Sequence, residues 1–319
     1  MSFDLTTRET VFDAQAARGS RVPWWVKIGA KMVLSRVLPS YAWRRRLGIG
    51  VHSYWAATIG HRDEIRRAIA LHTALTGRGP EAMLELGPGD SLANALYAAA
   101  EGVRTIWLVD AGDFATADMA VYERIVRLIE ADCPDFAARV DLSSRAAMLA
   151  SLGARYLTGG TGDLGRIPAG SIDLIVSYMV LEHVGRGTFD RLLAETRRIL
   201  APDGLAYHFV DLMDHLGGRL NNLRFPDALW EHPAMAGSGF YTNRLRCTEI
   251  LARAREAGLE ASVPFLSRWP VLPTPRGALH RQFAGFSDAE LRIAYFGLLL
   301  RRPLSDRTVS GLAVSEPAC

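Results

Sequence analysis

The chain has 319 residues, a formal net charge of +3 and an apolar fraction of 49%, enough for one large α/β domain with additions or for two smaller ones. That charge is too small to argue for nucleic acid, no run reaches the roughly 18 apolar residues of a membrane span, and Cys133, Cys247 and Cys319 are too scattered for a disulfide framework. A reducing cytoplasm is the default expectation, since Asp4, Arg8 and Glu9 depart from the basic-then-apolar form of a signal peptide.

Residues 1 to about 20 are polar and read as loosely ordered or as part of a lid. Pro23-Trp24-Trp25 opens a predicted helix that Pro39 ends, with Trp25, Ile28 and Met32 on one stripe and Lys27, Lys31 and Ser35 on the other. Two readings fit it: a lid helix, or a basic amphipathic helix on a membrane surface, which Arg44-Arg45-Arg46 would assist. A second helix is predicted near Ile59 to Ala74, and Thr76-Gly77-Arg78-Gly79-Pro80 is turn chemistry that marks a domain boundary.

Strand and helix patterns then alternate, which predicts a mostly parallel sheet covered on both faces. Ala82 to Leu86, Thr105 to Val109, Ile172 to Ser177 and Leu205 to Val210 read as strands. Helices are predicted over 91–101, 116–131 and 188–200, the last with Phe189, Leu192, Leu193, Ile199 and Leu200 on its buried side. After Asp211 the pattern breaks. Residues 212 to about 242 carry Phe225, Trp230, Phe240 and Tyr241 without regular period, and an irregular insertion of that length is usually functional. A helix over 243–257 ends at Gly258, strands near 261–268 and 293–301 complete the sheet, and the tail after Pro303 is polar.

The stretch from Ala82 to Ser91 says most about function. A buried strand leads into the turn Gly87-Pro88-Gly89-Asp90, and a helix begins near Ser91-Leu92. The next strand closes in Asp110, about twenty residues after the last glycine, which is the spacing of the nucleotide-binding half of a doubly wound sheet. An acid there can accept hydrogen bonds from both hydroxyls of a ribose. A dinucleotide also needs free N–H groups for its pyrophosphate, usually through G-x-G-x-x-G. Here the third glycine position is Leu92, Pro88 has no N–H, and Asp90 would repel a phosphate. A ligand with no phosphate and a positive centre tolerates all three. S-adenosylmethionine (SAM) is such a ligand, and Glu85, Asp90 and Asp110 then form a negatively biased pocket for its sulfonium. Gly160-Thr161-Gly162-Asp163-Leu164-Gly165 also fits G-x-G-x-x-G as a string, but the sequence after it leads to a strand and opens no helix.

With these motifs in place, roughly residues 80 to 303 resemble the class I SAM-dependent methyltransferases, in particular the broad small-molecule group often called type 11. Glu85-Leu86-Gly87-Pro88-Gly89 resembles the family's first motif and Asp110 its ribose-binding acid. Gly162-Asp163 looks like the segment that holds adenine, with a plain solvated loop as the alternative. Leu181-Glu182-His183-Val184 and Leu200-Ala201-Pro202-Asp203-Gly204 match later stretches in the family's order. The departure is Pro88-Gly89-Asp90, where many members have more glycines. The resemblance implies a Rossmann-like, doubly wound sheet with an N-terminal helical cap over 1–79, a SAM-binding domain over 80–303 with a substrate lid at 212–242, and a tail over 304–319. The expected cofactor contacts are Glu85, Gly87, Pro88, Gly89, Asp90, Asp110, Ala111, Gly162, Asp163, Leu164 and Ser177.

Methyl transfer from a sulfonium is an in-line displacement in which the protein aligns the nucleophile and excludes water. A base is needed only when the acceptor must lose a proton. His183, six residues past Ser177, is placed for that role; the alternative is a helix cap or cofactor contact that does not titrate. Asp211, Asp214 and His215 cluster after the following strand, with capping or structural roles as alternatives. Tyr178 either lines the methyl path or packs as an ordinary aromatic. Arg224, Arg244 and Arg246 either hold an anionic group of the substrate or form a solvated helix face. His52, His61, His72, His208, His232 and His280 have no metal spacing, so core or surface roles are expected, although His52-Ser53-Tyr54-Trp55 is placed to reach the cofactor from the cap.

The resulting expectation is a SAM-dependent methyltransferase acting on an oxygen or nitrogen of a small molecule or glycan unit, with no metal and no nucleic-acid partner. Peripheral membrane contact and oligomeric state stay open. The alternatives are an enzyme that breaks the aminocarboxypropyl C–S bond and releases methylthioadenosine, an NAD(P) oxidoreductase, and a non-catalytic SAM-binding or membrane-surface protein.

Overall fold

Apolar runs too short for helices, bounded by glycine and charged turns, become the strands of one sheet in the computed structural model, which describes residues 7–12, 23–37 and 54–303. In chain order the main elements are β1 (Arg8–Val11), α1 (Trp24–Val37), α2 (Tyr54–Thr76), β2 (Ala82–Leu86), α3 (Ala93–Ala100), β3 (Thr105–Val109), α4 (Met119–Glu130), α5 (Arg145–Ser151) and β4 (Ala154–Leu157). They continue as β5 (Ile172–Tyr178), α6 (Arg186–Ile199), β6 (Leu200–Asp211), α7 (Asp227–Trp230), α8 (Pro233–Ala236), α9 (Cys247–Glu256), β7 (Glu260–Arg268), α10 (Asp288–Leu291) and β8 (Ile293–Arg301).

The sheet runs β1-β7-β8-β6-β5-β2-β3-β4. All neighbours are parallel except β8, which runs antiparallel to both β6 and β7. This is the doubly wound, mostly parallel α/β architecture that the alternating pattern predicts. Parallel strands are covered on both faces and read as continuous apolar runs; Met83, Leu84, Leu174 and Ile175 are accordingly fully buried. One face packs against α6 and α9 through Phe189, Leu192, Leu193, Ile250 and Ala254. The other packs against α2, α3 and α4 through Ile65, Ala68, Leu96 and Ile125.

Helix α4 shows why these segments are helical. Tyr122, Ile125, Val126 and Ile129 recur at helical spacing and are buried, and the Asp118 side chain caps the first turn by accepting from Ala120 N–H at 3.1 Å. The chain steps outward from β2 to β3 and β4, then crosses back to place β5 on the other side of β2. The connections that leave the paired carboxyl ends of β2 and β5 therefore run to opposite sides, leaving a crevice of the kind where open α/β sheets bind ligands.

Three features differ from the expectation. Residues 8–11 form an edge strand rather than loose chain: β1 runs parallel to β7, Phe12 N–H donates to the Arg268 carbonyl at 2.7 Å, and Glu9 pairs with Arg268 at 2.6 Å. Its side chains are exposed, so backbone pairing at an open sheet edge makes the strand and apolar pattern does not. Strand β6 starts at Leu200 rather than Leu205, because Gly204 lets the chain lie close to β5; a Cβ there would be 2.8 Å from the Ile172 carbonyl oxygen. The insertion after Asp211 is compact, with Leu216, Trp230, Met235, Phe240 and Tyr241 packed together and Trp24 and Ile28 of α1 against them. Residues 13–22, Arg44–Arg46, His52 and the 304–319 tail lie outside the described residues.

Asp173 anchors the amino ends of β2 and β5. It accepts from the Glu81 and Ala82 N–H groups, both at 2.9 Å, and from Arg78 at 2.7 Å. Burial alone would raise this carboxyl, but Arg78 and the two N–H groups outweigh it and hold it below its usual range. Asp173→Ala is expected to cost about 2–3 kcal/mol, the scale of lost bonds to a charged group plus stranded donors, read as a lower urea midpoint at unchanged slope. Because the folded-state value is depressed, the gap from wild type is full above roughly pH 4, the unfolded-state value, and closes as pH falls through the folded-state value.

Candidate active site

The turn after β2 is built on two left-handed glycines. Gly87 has φ 68° and Gly89 has φ 66°, a region open to glycine and costly for most other residues. Gly87 also needs its missing side chain, because a Cβ there would lie 2.5 Å from Cγ2 of Val180. The turn's donors are committed internally: Gly87 N–H donates to the Val109 carbonyl at 2.8 Å and Gly89 N–H to Oδ2 of Asp110 at 2.9 Å. Pro88 between them has no N–H. Residues 87 to 89 thus offer no free N–H to a pyrophosphate.

Asp110 is 9% exposed at the carboxyl end of β3. Burial raises its pKa, while the Gly89 and Ala111 N–H groups oppose the rise and Asp90 adds to it. A carboxylate has roughly four acceptor positions; Gly89 uses one and Ala111 N–H, at 2.7 Å, another. Those remaining suit a vicinal diol. The backbone carbonyl of Asp110 accepts from Gly160 N–H at 2.8 Å, which holds the 160s loop beside it.

In that loop Gly160–Arg166 is a 3-10 turn that leads on to β5, with no α-helix opening. Asp163 accepts from Gly159 N–H at 2.7 Å and lies 3.4 Å from Arg166, so it braces its own loop, while Gly162 is exposed and Leu164 is fully buried in the core. Glu85 is buried too: Asn94 donates to it at 2.5 Å and burial pushes its carboxyl up to about 8. A group with that value is largely neutral at pH 7, so fixed negative charge at the turn rests on Asp110 and Asp90 rather than on all three acids. A cleft lies between α2 and the sheet, lined by Glu64, Glu85, Asn94, Ser177, Tyr178 and Phe209. Ser177 bonds His208 at 2.8 Å, and burial drives His208 down to about 3, a core histidine held neutral.

Beyond the carboxyl ends of β5 and β6 the sequence-selected residues converge. The His183 and His215 rings meet edge to face with centroids 4.7 Å apart, and His215 Nε2 lies 4.0 Å from Oδ2 of Asp211. His183 sits in a recess with its ring exposed at the mouth; burial lowers its pKa against the opposing bond to the Tyr241 carbonyl. That carbonyl, 3.0 Å from Nδ1, can only accept, so Nδ1 carries the hydrogen and Nε2 keeps its lone pair. Asp211 is pushed up to about 6, by burial first, against the Met213 N–H. Tyr178 is 38% exposed and stacks on Phe209 at 4.6 Å, which in turn stacks on Tyr295 at 5.0 Å.

Sequence reasoning treated Glu182 only as part of a motif, yet it belongs to this corner. It is 2% exposed; its own and the Asp211 backbone N–H groups face it, but neither carboxyl oxygen is in a hydrogen bond of normal geometry. The available signal was a charged residue set between Leu181 and Val184.

The remaining sequence-selected residues take structural roles: the alternative stated for Asp214 and the expectation for the other histidines hold, while both readings of Arg244 and Arg246 are corrected. Asp214 accepts from the N–H groups of Leu216, Gly217 and Asn221 and from the Asn221 side chain, so it staples its loop. Arg244 and Arg246 are buried and are not a solvated face or an anion clamp. Arg244 is spent on Asp227 and the Phe225 carbonyl between the rings of Trp230 and Phe283, and Arg246 on the Leu212 and Ile293 carbonyls. Arg224 bonds Asn221 and lies over Trp24. His72, His232 and His280 serve local backbone contacts.

Residues 60–261, more than half of the chain, match a family described as a methyltransferase domain. No curated protein matches the sequence. Among solved structures, a SAM-dependent methyltransferase from Archaeoglobus fulgidus shares 9% identity and a TM-score of 0.44, over 77% of this chain and 94% of its own. The 1,6-didemethyltoxoflavin-N1-methyltransferase of Burkholderia thailandensis, solved with bound 1,6-didemethyltoxoflavin and S-adenosylhomocysteine, shares 14% identity and a TM-score of 0.43, over 86% of this chain and 89% of its own. PKMT2 of Rickettsia typhi, solved with AdoHcy, shares 14% identity and a TM-score of 0.42 over 74% of this chain, which spans about half of that protein, 52%.

Gly87→Ala is expected to weaken SAM binding roughly tenfold, in line with the ~1–2 kcal/mol that a left-handed residue costs. Adding Val180→Ala should restore part of the loss, by removing the collision while leaving the backbone strain. Titration calorimetry that finds wild-type affinity in Gly87→Ala would show that the turn is no part of the ligand site.

Proposed function

The chain belongs to the methyltransferase-domain family, and on that premise we propose that its acceptor is an oxygen or nitrogen of a small molecule or glycan unit. The methyl donor is SAM. The observation that carries this reading is the accounting of the turn: Gly87 and Gly89 spend their N–H groups inside the protein, Pro88 has none, and Asp110 keeps acceptor positions for a diol. That arrangement favours a nucleoside with no phosphate and disfavours a dinucleotide.

Bound SAM supplies a methyl group on a positively charged sulfur that leaves as a neutral thioether. The protein's own contribution is alignment and the exclusion of water. Asp110 holds the ribose, and Asp90 with Asp110 favours a cationic ligand. The crevice between the ends of β2 and β5 leads towards the corner of Glu182, His183, Asp211 and His215, where the acceptor is handled. Tyr178, stacked on Phe209 and part exposed, offers an aromatic edge beside it.

Purified protein incubated with SAM and a metabolite extract should yield S-adenosylhomocysteine that depends on the extract, read by mass spectrometry. Methylthioadenosine formed from SAM alone would instead indicate cleavage of the aminocarboxypropyl arm. Tight NADH binding without a nucleoside product would overturn both. Asp110→Ala should weaken SAM binding by about 1–3 kcal/mol, the scale of hydrogen bonds to a charged group, whereas His183→Ala should slow turnover and spare SAM affinity.

A further inference from the structure

We propose that Glu182, His183 and His215 hold a divalent transition-metal ion and that this ion binds the acceptor through a hydroxyl oxygen. The inference rests on the methyl-transfer reading and names the acceptor class within it. Among the described residues these three are the group that brings a carboxylate oxygen and two imidazole nitrogens within 4.8 Å of one another. Nothing in the linear spacing announces the site, because the two histidines follow neighbouring parallel strands, β5 and β6.

The second observation is Glu182 itself. A carboxyl that is 2% exposed, faced only by its own and the Asp211 backbone N–H groups and with neither oxygen in a hydrogen bond of normal geometry, is an expensive arrangement, tolerated in proteins mainly when a cation or donor set answers it. No described Arg or Lys forms an ion pair with Glu182; its charged neighbour is Asp211, another acid. A cation beside Glu182 answers both carboxyls at once.

The donor geometry allows it. His183 donates Nδ1–H to the Tyr241 carbonyl at 3.0 Å, which fixes the ring and leaves the Nε2 lone pair as the ligand. This is the backbone-anchored arrangement typical of metal-bound histidine. Ligands at about 2.1 Å around one ion lie roughly 3.0–3.5 Å from one another, so the set must close by about an ångström. His215, 30% exposed, has room to supply that rotation. One carboxylate and two imidazoles suit a cation of the manganese-to-zinc series better than magnesium or calcium, which prefer oxygen alone. Three protein ligands leave open positions, and His183 is exposed, so the set is reachable from solvent.

Such an ion changes the chemistry the corner can perform. A hydroxyl bound to it becomes acidic enough to lose its proton to solvent near neutrality. The oxygen lone pair then forms the new C–O bond while the methyl–sulfur bond breaks and its electron pair passes to sulfur. The products are the methyl ether, S-adenosylhomocysteine and one proton. Open positions beside each other favour an acceptor that chelates, with a second hydroxyl or a carbonyl next to the reacting oxygen. His183 acts here as a ligand, and no separate base is required.

The test uses the full chain, stripped with a chelator and titrated with Mn²⁺ and with Zn²⁺ by calorimetry, with and without S-adenosylhomocysteine. A single saturable site whose affinity falls roughly tenfold or more in both Glu182→Gln and His215→Ala, with circular dichroism and S-adenosylhomocysteine binding retained, is the expected result. Absence of binding to either ion, or binding of equal strength in both variants, overturns the metal site. Should Glu182→Gln fail to fold, the part-exposed His215→Ala decides alone. Metal-free protein that binds S-adenosylhomocysteine but no ion would sink this inference and leave the transferase reading standing. Failure to bind S-adenosylhomocysteine would sink that reading instead, while the ion titration still judges the site.

Discussion

The working end of the molecule depends on the contact between Gly87 and Val180. Gly87 turns the chain left-handed at the end of β2, and the space its side chain would fill is occupied by Val180, just past the end of β5. From Gly87 the chain runs on to Gly89, which grips Asp110; from Val180 it runs on to Glu182 and His183. The glycine turn with Asp110 and the corner of Glu182 and His183 are thus fastened to each other at the carboxyl ends of the paired strands β2 and β5. Any bulk inserted there would separate Asp110 from the histidine corner. A glycine at this position is a packing requirement as much as a conformational one.

What the sequence made legible was whatever its chemistry stated locally. Buried parallel strands announced themselves as uninterrupted apolar runs, and the glycine turn and Asp110 stood out because their spacing lies within one strand–helix–strand unit. Strand β8 was visible at Ile293–Arg301 for the same reason. The edge strand β1 was not, since all four of its side chains are exposed and its partners are backbone atoms of β7. The short pair α5 and β4 was passed over as well, being too brief to establish a period.

The charged residues were the least readable part. Arg244 and Arg246 look like surface cations in a list of residues, but the irregular insertion leaves the Phe225 and Leu212 carbonyls, and the turn into β8 the Ile293 carbonyl, for these two side chains to answer from inside. Glu182 posed the opposite difficulty. It sits in sequence between Leu181 and His183, and the third member of its cluster, His215, is distant along the chain and adjacent only because β5 and β6 pair.

Asn243 stands at the end of the insertion and reaches back to the turn after β5. Its side chain donates to the Leu181 and Val184 carbonyls at 2.8 and 2.9 Å, and its backbone N–H to the Glu182 carbonyl at 2.7 Å. The insertion and the turn after β5 are therefore not modular. A lineage that remodels the insertion drags the turn that carries Glu182 and His183 with it unless this amide keeps its grip. Grafting the insertion from one protein to another would succeed only if residues 241–245 travel as part of the graft, because the seam between the insertion and the rest of the fold lies after them.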